Sequence, residues 1–84
     1  MKVAIIGLGY VGLPLACLCI EKGIDVFGAD IDKAKISLIE KGISPIEDLY
    51  LEEAVKKSKG KLKVTDEPEA AVKNSEVVIV CVPT

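Results

Sequence analysis

Lys2-Val3-Ala4-Ile5-Ile6-Gly7-Leu8-Gly9-Tyr10-Val11-Gly12 is the stretch whose reading decides the fold. Lys2–Gly7 is a short apolar run rich in β-branched residues, the pattern of a strand covered on both faces. A Gly-x-Gly-x-x-Gly turn follows, and beyond it Tyr10–Lys22 reads as a helix. Pro14 is tolerated there because the first helical turn leaves its N–H positions without intrahelical partners. Gly23 supplies the left-handed residue that stops the helix. Three spaced glycines recur by chance, but between a strand and a helix each has a physical job. Gly7 allows the tight turn, Gly9 lets the backbone approach a pyrophosphate, and Gly12 lets helix and strand pack closely. Free N–H groups at the helix start, with the helix dipole behind them, favour a negative charge.

A rival reading treats the same region as membrane-directed. Val3–Ile20 carries no charge and follows Lys2, so it imitates a spanning helix or a secretory leader. Leu15-Ala16-Cys17 even imitates a lipoprotein cleavage site. Against this, Gly7, Gly9 and Gly12 interrupt the run, Pro14 follows them, and Glu21-Lys22 close it. Strand, turn and helix is the better division.

Working outward, Asp25–Asp30 is a second strand carrying Val26, Phe27 and Ala29. Asp32 caps a helix over Lys33–Lys41 that Gly42 ends. Ser44-Pro45 marks a turn, Ile46–Ser58 contains a further helix around Leu51 and Val55, and Leu62–Thr65 is a short strand. Asp66-Glu67-Pro68-Glu69 has the signature of a helix start, with Asp66 as capping carboxylate and the helix ending near Asn74. Glu76–Val82 holds the most apolar segment, expected as a central strand stopped by Pro83. The order is βαβααβαβ. Helical connections between strands imply a parallel, doubly wound α/β sheet with right-handed crossovers, a Rossmann-like arrangement of four strands. With no closing element after its fourth strand, the chain is expected to be an incomplete domain cut from something longer.

Asp30 gives the glycine turn its chemical meaning. It lies eighteen positions after Gly12, at the end of the second strand. A carboxylate there accepts hydrogen bonds from both hydroxyls of an adenosine ribose and repels a 2′-phosphate. The chain has no arginine to bind such a phosphate, so NAD is expected rather than NADP. Lys35 either reaches the ribose or a phosphate from the second helix, or is a solvated helix lysine. Thr84, at the carboxyl end of the fourth strand, lies where open α/β sheets place ligands; a plain turn residue is its alternative. Glu52-Glu53 and Lys56-Lys57 form i,i+4 pairs on an exposed face.

Composition excludes several other functions. The 84 residues are 50% hydrophobic and 29% charged, which describes a single globular domain. The net charge is −2 and the basic residues are scattered lysines, which argues against nucleic acid as a partner. There is no histidine, so His triads and His metal sites are ruled out. Cys17, Cys19 and Cys81 sit in apolar runs and read as small buried hydrophobes of a reducing, cytoplasmic compartment; Cys81 would face the cofactor crevice or the core, with no cationic partner near it in sequence to make it a nucleophile. No catalytic residue and no metal ligand emerges.

Taken together, Gly7-Leu-Gly-Tyr-Val-Gly-Leu-Pro-Leu-Ala16, Asp30 with Lys35, Gly42-Ile-Ser-Pro-Ile46 and Val77-Val-Ile-Val-Cys-Val-Pro-Thr84 resemble the UDP-glucose/GDP-mannose dehydrogenase family. The resemblance covers all 84 residues, and Gly12-Leu-Pro-Leu-Ala16 looks most like the UDP-N-acetylmannosamine and UDP-N-acetylglucosamine 6-dehydrogenase branch. It implies an enzyme that oxidises the C6 alcohol of a nucleotide sugar to a carboxylate with two NAD and a cysteine thiohemiacetal. By matching position, the Tyr10 and Val11 N–H groups would meet the pyrophosphate, Asp30 the ribose, Lys35 would support it, and Thr84 would sit beside the cofactor. Ser44–Tyr50 matches a connection bordering the cofactor domain. The family's catalytic cysteine, lysine and aspartate lie far beyond residue 84, and none of the three cysteines matches. The resemblance therefore implies the first part of an NAD-binding domain, inactive alone, within a homo-oligomeric enzyme. The alternatives are an NAD-sensing regulatory module without catalysis and a truncation whose sheet edge merely pairs chains.

Overall fold

The computed structural model describes residues 1–81. They form β1 (Lys2–Ile6), α1 (Gly12–Glu21), β2 (Asp25–Ala29), α2 (Lys33–Glu40), α3 (Leu49–Ser58), β3 (Lys63–Thr65), α4 (Pro68–Lys73) and β4 (Val77–Val80). The strands make one parallel sheet in the order β3-β2-β1-β4. The expected βαβααβαβ order is therefore present, with shorter strands and a later start for α1. β4 stands at the edge of the four described strands rather than at the centre.

Local chemistry explains most of these boundaries. α1 begins at Gly12, two residues later than the helical reading from Tyr10, because Tyr10 and Val11 complete the glycine turn. At its far end, Gly23 adopts φ 81°; its N–H reaches the Ile20 carbonyl and that of Ile24 reaches Cys19. Gly42 repeats this closure after α2, with its N–H on Ile39 and that of Ile43 on Leu38. Both are Schellman endings, which only a residue tolerant of positive φ completes without strain. The Asp32 carboxylate accepts from the Lys35 N–H as the cap of α2. Asp48 does the same for α3 through Leu51, at 2.9 Å.

The start of α4 differs from expectation. Its N-cap is Glu67, which makes no side-chain cap bond, with Pro68 at the first helical position. The Thr65 hydroxyl accepts from the Glu67 N–H instead, and Asp66 turns to Lys33 at 3.8 Å. Asp66 lies one residue before the cap position and so does not serve as the N-cap.

Helices cover the sheet on both faces. On one, Val3, Ile5 and Val26 pack with Leu13, Ala16 and Cys17 of α1, Ile36 and Ile39 of α2, and Leu51 and Val55 of α3. Ile5, Leu8, Leu13 and Val55 are the largest fully buried side chains, each contributing about 1.5–3 kcal/mol of burial. On the other face, Ala71 of α4 sits on Ala4 and Ala29, with Ile6 and Phe27 alongside. Val77, Val78 and Val80 of β4 stay exposed. No helix among the described residues is long and apolar enough to cross a membrane.

All three cysteines are free. Burial pushes the Cys17 thiol up, against a smaller opposing effect of its hydrogen bond with Ser58. That raises the cost of a thiolate and suits the packing role assigned from sequence. Ser58, the buried polar residue of the core, returns its hydroxyl to the Ala54 carbonyl at 2.9 Å.

Candidate functional site

The site is assembled where β1 and β2 end. Gly7 leaves β1 with φ 100° and donates its N–H to the Ala29 carbonyl at 2.8 Å, which ties the turn to the end of β2. Gly12 then brings α1 against that turn. A Cβ placed on Gly12 would lie 1.7 Å from the Gly7 carbonyl oxygen and 3.3 Å from the Cys81 Cβ. No side chain fits there, so the third glycine is required by packing alone. Gly9 is different: a Cβ there would meet nothing within 4 Å. The space above it is open to a ligand.

The same turn also carries unpaired backbone donors. The Leu13 N–H goes to Gly9 and that of Leu15 to Val11, as the helix begins. Hydrogen bonds among the described residues leave the N–H groups of Gly9, Tyr10, Val11 and Gly12 without an acceptor. The Tyr10 and Val11 side chains point into solvent, 84% and 68% exposed. What these two residues present to the turn is their backbone. Those of Val11 and Gly12 belong to the N-terminus of α1 and those of Gly9 and Tyr10 to the turn before it, and unpaired donors at a helix start favour an anion.

Asp30 joins this turn to β2, β3 and α2. Its N–H bonds the Thr65 carbonyl at 3.1 Å, and its side chain is 11% exposed. Oδ2 accepts the Leu8 N–H at 2.9 Å and faces Lys35 Nζ at 3.4 Å; Oδ1 accepts the Asp32 N–H at 2.9 Å. Burial alone would raise its pKa, but the Asp32 and Leu8 N–H bonds and the Lys35 charge outweigh it. The net effect holds the carboxyl below the usual carboxylate value. Asp30 is thus a fixed anion at neutral pH, with lone-pair capacity left for further donors. Lys35 touches Asp30 and is only a quarter exposed, so it is neither free in solvent nor simply a phosphate arm. Thr84 lies outside the described residues.

One part of the site was missed in the sequence. Leu8, at a variable position of the glycine pattern, is fully buried and its N–H is the bond that reaches Asp30. Its side chain lies over Gly28 of β2, where an added Cβ would meet Leu8 Cδ2 and Cδ1 at 3.0 and 3.1 Å. The available signal was a glycine in the middle of an apolar strand, which often marks a close approach. Clefts also occur elsewhere, including one of about 510 Å³ lined by Cys17, Ile20, Tyr50, Ala54 and Ser58. None of the glycine-turn residues lines it, so cleft size and site chemistry point to different places. The chemistry decides, because a nucleotide phosphate needs donors more than depth. An open shelf, four donors and a partly buried carboxylate fit a dinucleotide laid across the strand ends.

Comparison with known proteins agrees. The sequence profile described as "UDP-glucose/GDP-mannose dehydrogenase family, NAD binding domain" matches residues 1–84. A UDP-N-acetyl-D-mannosamine dehydrogenase of Pyrococcus horikoshii is 43% identical over 86 aligned positions, covering 100% of this chain and 20% of that protein. A GDP-mannose 6-dehydrogenase of Pseudomonas savastanoi pv. phaseolicola is 42% identical with the same coverage. The crystal structure of a GDP-mannose dehydrogenase ternary complex from Pseudomonas aeruginosa superposes with a TM-score of 0.93 at 38% identity, covering 100% of this chain and 20% of that one. The chain thus spans about a fifth of the length of the curated relatives it matches. With glycine turn, Asp30 and sheet order all in place, the chain belongs to the UDP-glucose/GDP-mannose dehydrogenase family and corresponds to its NAD-binding domain.

Proposed function

We propose that this chain is the first part of the NAD-holding domain of a nucleotide-sugar 6-dehydrogenase, a homo-oligomeric cytoplasmic enzyme. That enzyme would oxidise the C6 alcohol of a UDP-sugar to a carboxylate, consuming two NAD. The observation that carries the cofactor part is Asp30, a partly buried anion hydrogen-bonded to the same turn whose outer N–H groups lack acceptors among the described residues. In this reading Tyr10 and Val11 hold the pyrophosphate through their N–H groups. Gly7 turns the chain, Gly9 leaves the approach bare, and Gly12 seats α1 beneath it. Asp30 takes the adenosine ribose hydroxyls and Lys35 keeps that carboxylate oriented and charged. Thr84 is assigned a place beside the cofactor. NAD, when bound, supplies a hydride acceptor.

The chain's own residues bind and orient, and leave the reacting carbon to groups elsewhere in a longer protein. The sugar remains a class: relatives named for UDP-linked and for GDP-linked sugars match at 43% and 42% identity. The choice of a UDP-sugar rests on Gly12-Leu13-Pro14-Leu15-Ala16. Isothermal titration with NAD and NADP tests the cofactor assignment. NAD is expected to bind at least about tenfold more tightly, the cost of setting a phosphate dianion against Asp30. Equal affinities would overturn it. The chain alone is expected to make no NADH from any UDP-sugar, and measurable production would contradict the division of labour.

A further inference from the structure

We propose that Leu8 is a positioning residue: its side chain, seated on Gly28, holds the glycine turn at the height where its own N–H meets Asp30. The inference rests on reading Asp30 as the ribose acceptor, and extends it to what keeps Asp30 in place. Gly28 has no backbone reason to be glycine. It lies within β2, paired with Ile5 and Val64, and is not among the positive-φ glycines of the chain. Glycine in a strand interior sacrifices packing and backbone entropy. What replaces its side chain is Leu8, whose two terminal carbons lie 3.0 and 3.1 Å from the site of an added Cβ, with Val64 Cγ1 at 3.5 Å.

Two bonds flank this contact. Gly7 donates to Ala29 at 2.8 Å, and Leu8 donates to Asp30 Oδ2 at 2.9 Å. The fit of side chain on strand and the aim of the N–H therefore belong to one residue. A methyl group on Gly28 requires the tip of the Leu8 side chain to give by a few tenths of an ångström, and because that side chain is fully buried the shift is expected to reach its backbone. The N–H bond, already at the usual distance for such contacts, lengthens or bends in response. A leucine that served only as core filling would lose stability without changing Asp30.

The test uses three variants of the chain: Gly28→Ala, Gly28→Ala with Leu8→Val, and Leu8→Ala. The double variant returns the added volume, so packing is nearly conserved. Without cofactor, an NMR pH titration follows the Leu8 amide and the Asp30 carboxyl; Asp32 and the facing Lys35 of α2 are unchanged throughout. In Gly28→Ala the Leu8 amide is expected to stop reporting Asp30 protonation, and the Asp30 titration to move up toward an ordinary carboxylate. The double variant should restore both. Calorimetry, corrected for folded fraction, should show NAD binding about tenfold weaker in Gly28→Ala and restored in the double variant. If Gly28→Ala fails to fold, Leu8→Ala leaves the strand intact and should show the same two losses. Unchanged Asp30 titration in both single variants, or no recovery in a stably folded double variant, overturns the inference. Failure of the wild-type chain to bind NAD counts against the proposed function instead, since the titration is read without cofactor.

Discussion

The two faces of the sheet differ in kind. The face under α1, α2 and α3 is built from large interlocking side chains, Ile5, Leu13, Ile36, Ile39, Leu51 and Val55 among them. The face under α4 is built on three alanines, Ala4, Ala29 and Ala71, and leaves Val78 and Val80 of β4 uncovered. Small residues let a helix lie close to the sheet, but they remove little apolar area from water. Stability is therefore concentrated on one side. The glycine turn enters from the strong side, through Leu8 and Gly12, and the cofactor shelf is anchored where the packing is deepest.

Substitutions can break this contrast, beginning with the most severe. Gly12→Ala puts a methyl group on the Gly7 carbonyl oxygen, a backbone atom that cannot step aside. It should cost about 3 kcal/mol or more of stability in urea unfolding, with loss of NAD binding. A midpoint like that of wild type would mean that α1 does not bear on the turn. Next come Ile5→Ala on the strong face and Val80→Ala on the weak one. The first should lose about 2–5 kcal/mol and the second less than about 0.5 kcal/mol. Comparable losses would erase the distinction between the faces.

Asp30→Asn sharpens the comparison through pH. The folded-state pKa of Asp30 is depressed, so its charge stabilises the fold above the unfolded value of about 3.9. That contribution disappears as the pH falls through the folded value. The asparagine variant should be about 1–3 kcal/mol less stable at neutral pH, and the gap should close below about pH 4. A constant gap down to pH 2 would assign the loss to geometry instead. The smallest effect belongs to Lys33→Ala, which removes the ion pair with Asp66 at 3.8 Å from a lysine that is 85% exposed. Thermal unfolding should shift by less than about 0.5 kcal/mol, and still less in 0.5 M salt.

Much of the architecture was legible because it is written in local signals. Gly23 and Gly42 end their helices, Asp32 caps α2, and the glycine turn stands between strand and helix as its spacing required. What escaped was non-local. Asp66 has every attribute of a cap, but its partner is Lys33, more than thirty residues earlier in the chain. The expected i,i+4 partners on α3, Glu52 with Lys56 and Glu53 with Lys57, form no ion pair among the described residues; Asp30 with Lys35 does. Leu8 looked like a free position in a glycine pattern, since its partner Gly28 becomes its neighbour only when β1 and β2 pair. In the same way, the apolar run Val77–Val80 could not reveal from its own letters that β4 stands at the edge of the four described strands with Val77, Val78 and Val80 exposed.

The Asp30 bonds have a kinetic consequence. One carboxylate is bound to the turn through Leu8, to the start of α2 through Asp32, and to its flank through Lys35. These elements are preorganised before any nucleotide arrives, so little conformational entropy remains to be lost on binding. Association should then follow a single concentration-dependent step without a slower ordering phase, and affinity differences among variants should appear chiefly as differences in residence time.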